Sequence, residues 1–167
     1  MLQWKLMKIF DPTNLINDSS CFDLQFRKDI RKERINAPAY YRWKAQFVIT
    51  APKDGIMALK EIKKAMKCGN VTIVGNQARL SVQKISDVAD RTIPYVRKHI
   101  SGTKKKEFEL WQKAVEILMR NKGIPSTTWK KSDFLSLTHI HNSTAKYKSN
   151  PRKPKWLDTA KLFTTQV

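Results

Sequence analysis

The sequence predicts an α+β fold in which helices cover one face of an antiparallel sheet. Three observations point there. Apolar and polar residues alternate over 22–27, 40–50 and 77–83, the period of a half-buried strand. Gly75-Asn76 separates two short strand-like runs, as a hairpin turn does. Apolar residues recur at helical spacing over 54–67, 86–99 and 103–121.

In chain order, Phe22, Leu24 and Phe26 share one parity, and Asp23, Gln25 and Arg27 share the other. Residues 31–38 are charged and end in Pro38, so they read as a hairpin loop, with Arg31 at its start. The clearest strand follows. Tyr41, Trp43, Ala45, Phe47 and Ile49 lie on one face, and Tyr40, Arg42, Lys44, Gln46 and Thr50 on the other, with Val48 the exception. Pro52 and Asp54 open a helix carrying Ile56, Leu59, Ile62, Lys63 and Met66, and Gly69 ends it. Val71 to Val74 make a short strand. In the next one Ala78, Leu80 and Val82 alternate with Gln77, Arg79, Ser81 and Gln83. Ser86-Asp87 cap a second helix through Val88, Ile93 and Val96, and Gly102 breaks it. Thr103 caps a third, with Phe108, Trp111, Val115, Leu118 and Met119 as its apolar positions. Residues 1–121 read as a packed domain. Residues 122–167 read as a basic extension with short helical pieces, interrupted by Pro125, Pro151 and Pro154.

Composition narrows the function. Of 167 residues, 33 are Lys or Arg and 14 are Asp or Glu, for a net charge of +19. Such a charge opposes compaction by self-repulsion unless a polyanion neutralises it, and nucleic acid is the default polyanion. The excess is densest at the end: residues 121–167 hold 9 basic and 2 acidic side chains, against 9 and 5 over 1–50. At 41% hydrophobic residues a core is affordable, so disorder throughout is excluded. No apolar run approaches the roughly 18 residues of a membrane span, and no strongly amphipathic basic helix favours a membrane surface. The two cysteines, Cys21 and Cys68, form no CxxC, which excludes a zinc finger, and both read as buried small side chains. His99, His139 and His141 are not spaced as a metal site and read as polar surface or RNA contacts. The start, MLQWKLMKIF, lacks the features of a secretory signal or a transit peptide.

If the helices cover the apolar parity, the uncovered face displays Gln25, Arg27, Arg42, Lys44, Gln46, Gln77, Arg79, Ser81 and Gln83, with only Asp23 and Asp29 acidic. Arg and Lys reach phosphates; Arg, Gln and Ser also bond base edges. This face is the expected nucleic-acid interface.

Four phrases then resemble the LAGLIDADG homing endonucleases: LQFRKD (24–29), YYRWKAQFVIT (40–50), LKEIKKAMKCGNVTI (59–73) and TIPYVRKHISGTKKKEFELWQKAVEIL (92–118). The resemblance implies an αββαββα unit whose saddle-shaped four-stranded sheet grips nucleic acid. It places the family's signature helix on PTNLINDSS (12–20), where Leu15 and Ile16 match and Pro12 can start a helix. Asn14 and Ser20 stand where the family has close-packing glycines, which implies a monomer or a different partner for this helix. Ser19 stands at the position of the acidic metal ligand; Asp18 is adjacent, but its side chain would point about 100° away around a helix. From this substitution the expectation is a chain that is not an enzyme and needs no cofactor. Lys104 matches a basic residue that assists the family's site; within the run Lys104, Lys105 and Lys106 it also reads as a phosphate contact.

The expected function is therefore binding of structured RNA, as an rRNA-binding component of an organellar ribosome beside neighbouring ribosomal proteins. The location that goes with it is mitochondrial, or a chloroplast. Lys146, Lys148, Arg152, Lys153 and Lys155, with Trp156 to stack or to anchor a helix, would serve the RNA. A group I intron maturase is the alternative, and a DNA endonuclease using Asp18 or Asp11 in a shifted register is a third.

Overall fold

The computed structural model describes residues 11–29 and 40–148. The elements are α1 (Pro12–Ser19), β1 (Ser20–Asp29), β2 (Tyr40–Pro52), α2 (Ile56–Met66), β3 (Asn70–Val74) and β4 (Gln77–Val82). Then come α3, a continuous helical run over 85–97 with a π-turn at Val88–Thr92, α4 (Gly102–Arg120) and α5 (Lys131–Thr144). The fold is α+β and begins αββαββα, as the alternation and the resemblance predict.

The strands form one antiparallel sheet in the order β1-β2-β4-β3. Phe22 lies opposite Phe47, and Phe47 opposite Val82, so the apolar parities of three strands coincide on one face. That face is covered: the Phe22 ring packs on Phe108 and Trp111 of α4 with centroids 5.4 and 5.2 Å away. Leu59 and Ile62 of α2 and Val88 and Val96 of α3 are fully buried in the same core. Burying a side chain of this size is worth about 1.5–3 kcal/mol, so register and helix placement reinforce each other.

Glycine matters at two turns. Gly75 takes φ +59 between β3 and β4. Gly69 takes φ +97 after α2, where a Cβ would come within 3.0 Å of both Leu80 and Val82. The helix before it ends earlier than the sequence suggests, at Met66, with Lys67 in the left-handed conformation.

The main difference lies beyond residue 121. Residues 131–144 form one 14-residue helix, and Phe134, Leu137 and Ile140 bury into the common core. Asp133 and Arg120 form an ion pair that ties α5 to α4, and Asn121 Nδ2 donates to Asp133 at 2.9 Å. Among the described residues, no helix is long and apolar enough to cross a membrane.

Candidate nucleic-acid interface

The side of the sheet away from the helices carries the opposite parity of every strand. Pairing fixes the neighbours: Arg27 faces Arg42, Gln25 faces Lys44, Asp23 faces Gln46, and Arg79 lies between Thr50 and Thr72. Two arginines directly opposite one another disfavour a sheet unless an anion joins them. Arg27 Nε donates to Gln25 at 2.7 Å, which orients the guanidinium along the strand. Lys44 donates to Gln83 at 2.9 Å. Arg79 is half-buried, and its Nε is buried without a hydrogen-bond partner.

Among the described side chains Asp23 is the one acid on this face, and its oxygens are engaged. Gln46 Nε2 donates to one at 2.8 Å, and Lys148 Nζ lies 3.6 Å from the other. Gln46 is consequently buried, which removes it from the set of accessible contacts. Lys148 folds back onto β1 instead of extending with the tail, so the last described residues run beside the interface. Lys146 lies over the ring of Tyr147 at 5.0 Å. Gln77 and Gln83 are exposed, and Ser81 is half-buried opposite Val48. Arg31, Arg152, Lys153, Lys155 and Trp156 lie outside the described residues.

Cys21 also belongs to this face and is half-buried, while Cys68 is buried as expected. Burial pushes both thiols above their ordinary value, so both stay protonated at neutral pH. Two of the histidines take structural roles, and His139 is exposed as polar surface. His99 Nδ1 meets Thr13 Oγ1 at 3.0 Å, and His141 Nδ1 meets the Leu24 carbonyl at 2.7 Å.

Lys104 is not on the sheet face. It spans a turn of α4 to Glu107, 2.9 Å away, and its ammonium lies 5.5 Å from the centroid of the Phe22 ring. Glu107 is 1% exposed. A carboxylate that deep needs its cation, so Lys104 serves the interior before any ligand. Lys105 is exposed on the same helix.

The short helix α1 exists for identifiable reasons. Asp11 accepts from Thr13 N, Pro12 starts the helix, and Leu15 and Ile16 bury its inner side. Asn17 ties it to the chain before α4: its amide donates to the His99 carbonyl at 2.9 Å and accepts from Ser101 N at 2.9 Å. Its end presents Asp18 and Ser19 to solvent. Among the described residues, no group of three or more His, Cys, Asp or Glu is arranged to hold a metal. Asp18 is the exposed carboxylate at this helix end; Asp23 is held by Gln46 and Lys148, and Glu107 is buried with Oε2 beside Lys104 and Oε1 without a hydrogen-bond partner. One carboxylate fits an ion such as Mg²⁺ that takes its other oxygens from phosphate and water.

Comparison with known proteins gives a consistent family. The model of the LAGLIDADG endonuclease family matches residues 20–115. Among solved structures, the homing endonuclease I-CvuI in complex with its target is similar over 99% of this chain and 99% of its own, with a TM-score of 0.69 and 12% identity. The archaeal intron-encoded homing endonuclease I-Vdi141I, complexed with DNA, matches over 98% and 96%, with a TM-score of 0.67 and 15% identity. I-SmaMI, bound to cleaved DNA, matches 78% of this chain and 41% of its own, with a TM-score of 0.63 and 16% identity. No curated protein matches the chain. The match to an endonuclease family overturns the expectation that Ser19 makes this chain a non-enzyme. Ser19 removes one carboxylate from the signature helix, and Asp18 at the same helix end is exposed.

Proposed function

The chain belongs to the LAGLIDADG endonuclease family, and from that membership we propose that it is a DNA endonuclease that grips duplex on the open face of its sheet. The observation that supports this best is the charge arrangement on that face: Arg27 opposite Arg42, Lys44 two residues further along β2, Arg79 farther along the sheet opposite Thr50, and Asp23 already occupied. Phosphates bridging the two arginines relieve their repulsion and release counterions. Gln25, Gln77, Ser81 and Gln83 then supply donors and acceptors at base-edge height.

Asp18 would hold a divalent ion together with a phosphate of the substrate. The ion supplies charge stabilisation and a bound water of lowered pKa. The family's DNA-bound members are the comparison for this step, and Asp18 is the residue this chain brings to it.

The test is a selection from a randomised duplex pool followed by incubation of the selected duplex with Mg²⁺. A break at a defined position, absent for Asp18→Asn although binding persists, supports the proposal. Failure to retain any duplex at moderate salt overturns it.

One observation favours a second reading, structured RNA as the ligand of the same face, whether intron or rRNA. It is the density of basic residues over 121–167, beyond what the sheet itself carries. Competition decides between the two: RNA displacing a selected duplex at lower concentration than unselected DNA favours RNA.

A further inference from the structure

The strand β2 outruns its neighbour. β4 ends at Val82, opposite Phe47, while β2 continues back to Tyr40, so residues 41–45 have no strand beside them on that side. After Val82 the chain turns away through Gln83 and Lys84 into α3, and the α4–α5 connection closes the opposite wall. Between them lies a cleft of about 530 Å³. That is within the roughly 300–1,000 Å³ of sites that hold small organic ligands.

Its chemistry is uneven in an informative way. Its lining includes the apolar Trp43, Ala45, Ile85 and Leu118, the exposed Lys84 and Lys122, and Trp129; Lys44 lines it too, bonded to Gln83. No Asp or Glu is found among the described lining residues. Trp43 is 5% exposed, yet its indole N–H has no hydrogen-bond partner. Trp129, by contrast, is held in place: its indole N–H donates to the Ile124 carbonyl at 2.9 Å, and its ring packs on Phe134 at 5.4 Å. An apolar lining, a fixed aromatic side chain and exposed lysines suit a planar aromatic ring that is joined to a phosphate.

We propose that this cleft takes one unpaired nucleotide of the bound nucleic acid, with its base against the apolar lining beside Trp129 and its phosphate at Lys84 and Lys122. The proposal rests on the open face being the nucleic-acid interface, because Arg42 and Lys44 border both the face and the cleft. A strand held on the sheet therefore reaches the cleft without leaving the protein surface. Stacking of the base on an aromatic side chain is worth about 5- to 150-fold in affinity.

The experiment compares a plain duplex with the same duplex carrying one unpaired 2-aminopurine nucleotide, each bound to the full chain. The expected result is a preference of about tenfold for the second duplex, with a saturable change in 2-aminopurine emission. Lys84→Gln with Lys122→Gln abolishes that preference and leaves plain-duplex affinity within about threefold. Equal affinity of the unaltered protein for both duplexes, or a preference that survives the two lysine changes, overturns the cleft and leaves the sheet face standing. Binding of neither duplex removes both.

Discussion

Changing Arg42, Lys44 and Arg79 together to Gln tests the interface most directly, because the three sit on one face, on β2 and β4. Each phosphate contact on B-form DNA contributes about 0.9 to the slope of log affinity against log salt. If about 8 to 10 side chains of the whole protein neutralise phosphates, the slope of the unaltered chain lies at about −7 to −9. Losing three flattens it by about 2.7, so a fourfold rise in salt costs the variant about 40-fold less affinity than it costs the parent. The fold should survive. The Lys44 bond to Gln83 is exposed, and removing Arg42 relieves its opposition to Arg27, so stability changes by about 0.5 kcal/mol or less. The assay is fluorescence anisotropy across a salt series, with thermal unfolding as the control. A parental slope in a folded variant would falsify the placement of the interface on the sheet.

Three further outcomes concern the scaffold. Lys104→Met should destabilise by about 3 kcal/mol because it strands the buried Glu107 carboxylate, and adding Glu107→Gln should recover most of the loss. Urea unfolding reads this, and a single variant as stable as the parent would contradict the pairing. Gly69→Ala should cost roughly 1–3 kcal/mol, combining a left-handed φ with contacts to Leu80 and Val82; a loss under about 0.5 kcal/mol would mean the turn rearranges freely. Asp133 gives a pH signature. Burial pushes its carboxyl up, but the hydrogen bonds from Asn121 and Arg120 and the Arg120 charge outweigh that and hold it below its usual range. Its stabilisation is therefore complete above the unfolded value near 3.9 and is lost as pH falls through the lower folded value. Asp133→Asn should cost about 1 kcal/mol at pH 7, since the Arg120 partner is mostly exposed, and should flatten the acid limb of the stability curve. An unchanged acid limb would show that the contact is idle.

Much of this was legible in advance. Alternation places Arg27, Arg42, Lys44 and Arg79 on one side without any knowledge of the fold, since adjacent side chains on a strand must point to opposite faces. The strands and the helices over 56–66 and 102–120 follow from period alone. The helix over 131–144 was harder to read. Its Ser, Thr, His and Asn are poor helix formers, Leu135 is exposed, and only Phe134, Leu137 and Ile140 mark its inner side. The Ser19 substitution misled for a different reason: one residue at a helix end says little about which carboxylates lie within reach of a phosphate.

The sequence alone determined the two faces of the sheet and the sign of the charge on one of them, because period and charge are local properties. Tertiary structure decided the rest. It turned Gln46 and Lys148 onto Asp23, bound Lys104 to Glu107, and opened the cleft where β2 continues past the end of β4. Each of these joins residues far apart in the chain or depends on how deep a side chain lies. Neither the partner of a charge nor the end of a strand's neighbour is written in the spacing of residues, since both are set by the packing that brings distant segments together.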